Sequence, residues 1–192
     1  MKDFFNDLLE TIAFTLLFFL VIQGSVRNYR VELSSMESTL FPKDRLAVNK
    51  LLYLRLDATR LENILGPDRL FGSGKNFFFF HEPERGEIIV FKSPEEPNRD
   101  FVKRVVGLPG ETVALKDGIV FIDGVEIDEP LSVNKDMSTM RPIFVPEDSY
   151  FVLGDNRSYS SDSRYWGSVH INNIIGKVSL RYWPSNDISI FQ

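Results

Sequence analysis

A hydroxyl attacks a carbonyl only when a base removes its proton, and this chain is short of the usual bases. Its 192 residues hold no cysteine and two histidines, His81 and His170, neither of which lies in a recognisable motif. Thiol nucleophiles, disulfides and cysteine–zinc sites are therefore excluded, and a multi-histidine metal centre has too few ligands. The chemistry must run on hydroxyls, carboxylates and amines. Serines cluster in Leu33-Ser34-Ser35-Met36-Glu37-Ser38-Thr39-Leu40 and again between Leu153 and Gly167. Alone, the first run reads as a loop. The second is dense in Asp, Asn, Ser and Gly, as surface loops are, but two acidic–basic pairs and Trp166-Gly167 mark it as ordered and cross-linked.

With both histidines reading as surface or satisfied core residues, the remaining base for a serine is a lysine. Phe101-Val102-Lys103-Arg104-Val105-Val106 offers one in an unusual setting. In a strand, alternation puts Phe101, Lys103 and Val105 on one face and Val102, Arg104 and Val106 on the other. Lys103 then stands between two apolar side chains, where burial disfavours the ammonium. Lowering a lysine from about 10.4 to about 7 costs roughly 4–5 kcal/mol, a cost that folds keep mainly at functional sites. The bland alternative is a lysine snorkelling at a sheet edge.

Positioning these groups falls to two kinds of element. From Thr11 to Val26 no residue is charged. Extended back to Leu8, the apolar stretch would reach roughly 28 Å as a helix, close to the hydrocarbon thickness of a bilayer. It predicts a single uncleaved membrane anchor over residues 1–28, since no Ala-x-Ala cleavage site follows; a buried core helix is the alternative. Lys2 on one side and Arg27 and Arg30 on the other leave orientation unassigned by charge. Residues 29–192 predict a mainly β domain. Asp117-Gly118 and Asp123-Gly124 separate apolar runs between Ala114 and Ile127, as type I′ hairpin turns require. Further strands are expected at Glu87–Phe91, Phe101–Val106, Tyr150–Leu153 and Gly176–Tyr182. One short helix is expected at Arg60–Leu65, with a Thr59/Glu62 capping box. Phe77–Phe80 reads as a buried strand or as an apolar rim against lipid. The composition, 43% hydrophobic and 26% charged, is that of a globular chain, and the net charge of −5 gives no footprint for nucleic acid.

Together these segments resemble type I signal peptidases (leader peptidases). The serine run resembles the family's Ser-Met-x-Pro-Thr-Leu box, with Ser35 on the nucleophile. Glu84–Lys92 resembles its Arg-Gly-Asp-Ile-Val-Val-Phe strand. Asp100–Gly110 matches the lysine box, with Lys103 on the general base, and Gly154–Arg157 through Asp162–Gly167 matches the last box. The resemblance implies a signal-peptidase/LexA-like β-fold, with Ser160 orienting the lysine and Asp162 and Arg164 as a supporting ion pair. It implies Met36 and Phe101 at the substrate, no cofactor and no metal. It also implies a single-pass enzyme of a bacterial inner (plasma) membrane, its catalytic domain on the exported side, cutting signal peptides from precursors after small residues. The segment 51–84 is expected as a variable insertion and 107–150 as a β-hairpin region.

The nucleophile box departs from the family pattern. Glu32 and Leu33 stand where a proline and a small or hydroxyl residue are usual, and Ser38 replaces the proline. A leucine cannot assist an oxyanion hole, which leaves the Ser35 N–H and the Ser34 hydroxyl as donors. Two other readings remain at this stage. A silent relative would act as an anchored binding protein. A self-cleaving LexA-type protease would need an Ala-Gly or Cys-Gly site, and the chain has neither.

Overall fold

The structure, a computed structural model, describes residues 2–53, 55–56, 77–78, 81–96, 98–130 and 132–191. The chain begins with helix α1 (Lys2–Ser25), which contains a 20-residue stretch, Asn6–Ser25, long and apolar enough to cross a membrane. Between Leu8 and Phe19 its large apolar side chains point outward, Phe18 being 67% exposed, as a core element's would not. Thr11 and Thr15 donate their hydroxyls to the carbonyls of Asp7 and Thr11, one turn back, which removes two polar groups from the helix surface. Strand β1 (Val26–Arg30) follows directly.

The remaining strands are β2 (Arg45–Asn49), β3 (Arg55–Leu56), β4 (Phe77–Phe78), β5 (Ile88–Lys92), β6 (Asp100–Gly107), β7 (Thr112–Lys116), β8 (Ile119–Ile122), β9 (Val125–Glu126), β10 (Met140–Phe144), β11 (Ser149–Leu153), β12 (Val169–His170), β13 (Ile174–Trp183) and β14 (Ser189–Ile190). One antiparallel sheet runs in the order β1-β2-β13-β5-β6-β11-β12, with β14 added on β13. A smaller sheet, β10-β7-β8-β9, holds the expected hairpins. Asp117, Gly118, Asp123 and Gly124 all have positive φ, between 50° and 83°, the backbone that two-residue I′ turns need. β3 and β4 pair antiparallel, so Phe77 and Phe78 belong to a short strand; Phe79, Phe80 and the helix expected at 60–65 lie outside the described residues.

Three apolar clusters explain why the strands read as they do. Ile88 and Val90 of β5 pack with Val31, Leu46 and Val48 on one side of the sheet. Ile89 and Phe91 pack with Val105, Tyr150 and Val152 on the other. A strand covered on both faces shows a continuous apolar run rather than alternation. The third cluster, with Val106, Phe151 and Leu153, joins the large sheet to the small one.

Candidate active site

Lys103 lies in the middle of β6, opposite Ile89 of β5, and is 3% exposed. Its Nζ is 2.7 Å from Ser35 Oγ and 3.1 Å from the Val102 carbonyl oxygen, and it stands 5.3 Å from the centre of the Phe101 ring. Burial pushes the amine down to about 8, while the charges of Asp162 and Asp155 pull it back up. Those two carboxylates explain why the shift is smaller than apolar neighbours alone would impose.

Ser35 sits in the loop after β1. The loop starts as a continuation of the β1–β2 ladder, through Val31 N–H to Asp44 O and Lys43 N–H to Val31 O. It then turns tightly, with Glu37 N–H on Ser34 O and Leu40 N–H on Met36 O. Met36 and Leu40 are fully buried in the core beneath the turn. Met36, expected at the substrate, therefore points into the core rather than onto the cleft wall; its apolar side chain pins the loop. Ser38 has φ 82°, which a proline cannot adopt. Its hydroxyl donates to the Ser132 carbonyl.

The final loop closes over the pair. Asn156 donates its N–H to Ser35 O (3.1 Å) and its Nδ2 to Ser34 O (3.2 Å). Asp162 caps the short helix α2 (Ser163–Trp166), accepts Arg164 Nε at 2.8 Å and Nη2 at 3.0 Å, and accepts the Gly154 N–H. Ser160 is buried, but its Oγ makes no hydrogen bond among the described residues, so the implied bond to Lys103 is not formed.

Arg104, one residue past the lysine, turns to the other face of β6 and meets Asp155 side-on, Nε to Oδ1 at 2.8 Å and Nη2 to Oδ2 at 2.6 Å. Thr39 donates to the same carboxylate at 2.5 Å. Sequence reasoning missed this pair; the available signal was a second cation in a strand bound for burial, which must find a counter-ion.

A cavity of about 650 Å³ opens beside the pair, between residues 29–35 on one wall and Asp100–Lys103 on the other, with Leu46 and Val90 beneath. Leu33, 64% exposed, and Phe101 line it; Ser34 lies on its wall. β11 pairs with β6 only from Arg104 onward, so residues 100–103 have no partner strand on that side among the described residues.

The sequence pattern of the family described as signal peptidase, peptidase S26, matches residues 5–183. The chain belongs to that family. Signal peptidase I of Leptolyngbya laminosa is 36% identical over 186 residues, covering 93% of this chain and 79% of the relative. Signal peptidase IB of Staphylococcus aureus strain Mu50 is 32% identical over 194 residues, covering 92% and 87%. A crystal structure of a signal peptidase I from Enterococcus faecalis V583 aligns with TM-score 0.44 and 37% identity, covering 51% of this chain and 97% of that one. As a member of the family, the chain is a serine endopeptidase that removes signal peptides from exported precursor proteins.

A separate group, His81, Glu84 and Glu87, brings three possible ligand atoms within 4.8 Å of one another. Lys177 Nζ already lies 2.5 Å from Glu87 Oε1, and a fixed ammonium there opposes a divalent cation. His81 Nε2 is 2.9 Å from the same carboxylate, which makes it a satisfied histidine.

Proposed function

We propose that this signal peptidase cuts by a Ser–Lys dyad, Ser35 as nucleophile and Lys103 as general base. The observation that supports this most is the 2.7 Å approach of Lys103 Nζ to Ser35 Oγ on a lysine that is 3% exposed. A neutral amine takes the Ser35 proton as Oγ attacks the scissile carbonyl. The resulting ammonium protonates the departing amine, which becomes the new N-terminus of the mature protein. A water, deprotonated by Lys103, then attacks the ester and frees the signal-peptide carboxylate. The oxyanion faces the Ser35 N–H, which donates to none of the described residues, together with the Ser34 hydroxyl. Asp162 and Arg164 hold the loop that carries Ser160 behind the lysine.

An extended peptide suits the cleft because the unpartnered edge at residues 100–103 offers main-chain hydrogen bonds, as in strand addition. Phe101 forms part of the wall, and the enzyme cuts after small residues that fit next to the dyad. Residues 1–28 anchor it in a lipid bilayer and residues 29–192 form the peptidase domain, with 51–84 as an insertion and 107–150 as its hairpin region. The domain works on the exported side of a bacterial inner membrane, where cleavage sites emerge.

The test is cleavage of a secretory precursor by the detergent-solubilised full chain, with Ser35→Ala and Lys103→Ala alongside. Mature-size product from the wild type and a loss on the order of 10⁴-fold or more in each variant is the expected result. Product formation that survives either substitution overturns the dyad.

A further inference from the structure

We propose that Glu129 and Asp136 are positioning residues for the nucleophile: through Arg157 and Arg164 they fix the Gly154 peptide against which the Ser35 carbonyl rests. The proposal rests on the reading of Ser35 as nucleophile. Both carboxylates belong to the stretch between β9 and β10, outside every segment that resembles a family box. Neither touches a reacting atom.

Gly154 is held from both sides. Its N–H donates to Asp162 Oδ2 at 3.1 Å, and its carbonyl accepts Arg157 Nε at 3.0 Å. Each of these partners is itself oriented by a carboxylate from the same stretch. Arg157, 1% exposed, pairs through Nη2 with Glu129, whose side chain is 3% exposed. Arg164, which grips Asp162, extends Nη1 to Asp136 Oδ2 at 2.9 Å and to Ser138 Oγ at 3.2 Å. The two systems are joined where Arg164 Nη2 donates to the Arg157 carbonyl at 2.6 Å. Gly154 lies directly against both loops: a Cβ there would collide with Ser35 O, 2.5 Å away, and with Ser160 Oγ.

The same stretch also grips the nucleophile loop directly. Ser132 accepts the Ser38 hydroxyl on its carbonyl, and its own hydroxyl donates to Thr39 Oγ1 at 3.1 Å, the Thr39 hydroxyl itself donating to Asp155. Asn134 donates to Asp155 O at 2.8 Å and accepts the Arg157 N–H at 3.1 Å. One segment thus bonds to both loops that supply the dyad's surroundings. Buried charge pairs are a poor way to gain stability over apolar packing, but they fix direction, and direction is what a nucleophile poised on its base needs.

The experiment uses full-length enzyme in detergent with a secretory precursor. It measures kcat and KM for Glu129→Gln, Glu129→Asp and Asp136→Asn, each normalised to the folded fraction from circular dichroism, with Ser35→Ala as control. Glu129→Gln is expected to lower kcat about 10–100-fold with KM within about twofold, and Glu129→Asp to restore part of it. Asp136→Asn leaves Arg164 paired with Asp162 and is expected to lower kcat about 3–10-fold. Wild-type kcat per folded molecule in both charge-removing variants, or a loss confined to KM, overturns the proposal. Cleavage that survives Ser35→Ala overturns the dyad itself and this proposal with it.

Discussion

Lys103 carries a thermodynamic cost that fits its chemical role. Its amine is lowered from 10.5 to about 8 in the fold, chiefly by burial, which corresponds to about 3 kcal/mol of lost stability while the group is protonated. The sign follows from the depressed folded value: the cost is full below pH 8, fades as pH rises toward 10.5, and is gone above it. The apolar strand around Lys103 made its unusual setting legible, and it was the resemblance to the family boxes that put Ser35 beside it. Arg104–Asp155 was not legible, since the two are 51 positions apart and nothing in either segment names the other. Leu33 is the residue at which the cleft departs from the family pattern. It is exposed on the cleft wall two positions before the nucleophile. Leu33→Ser adds a hydroxyl beside the Ser35 N–H, and kcat on a precursor peptide is expected to rise about tenfold, a fraction of what one oxyanion donor is worth. An unchanged kcat would mean that the Ser35 N–H and Ser34 suffice.

At the scale of elements, strand existence and hairpin chemistry were readable, because apolar runs and Asp-Gly pairs encode them locally. Edges moved by a residue or two: β13 starts at Ile174 rather than 176, and β6 runs on to Gly107. The stretch between β9 and β10 had no readable role, as its contacts are with loops distant in sequence. Packing of the final loop on the nucleophile loop depends on Gly154, where a methyl group would meet the Ser35 carbonyl and Ser160. Two of its close neighbours are thus backbone oxygen and a buried side chain, neither able to yield cheaply. Gly154→Ala is expected to lower kcat on the order of 100-fold, since an ångström of displacement at the nucleophile is worth about that much. The check is steady-state cleavage with the melting temperature of the same sample; a rate within twofold of wild type would show that the loops move independently.

Across the whole molecule, the apolar outward face of α1 and the buried strands after it divide the chain into a membrane-seeking helix and a β domain. That division was visible as a change in charge pattern. The stem of the 51–84 insertion was not, because it is tied by one buried carboxylate. Glu87 accepts from Tyr53, His81, the Glu84 N–H and Lys177. Burial alone would raise Glu87, but these bonds hold it below the usual carboxylate range, and burial beside that carboxylate pushes the Tyr53 hydroxyl far above its ordinary value. This hub ties Tyr53, His81 and Glu84 to Lys177 of β13.

The Ser35–Lys103 pair makes the pH dependence of kcat/KM the most direct measurement, taken on the full anchored enzyme with a secretory precursor. The dyad predicts activity rising with pH through a midpoint near 8, where Lys103 loses its proton. Asp162→Asn removes the larger of the two charges that raise the lysine, so it is expected to move that midpoint to lower pH even as the rate falls. A midpoint near 6.5, the value of an ordinary histidine, or one indifferent to the charge at Asp162, would contradict Lys103 as the base.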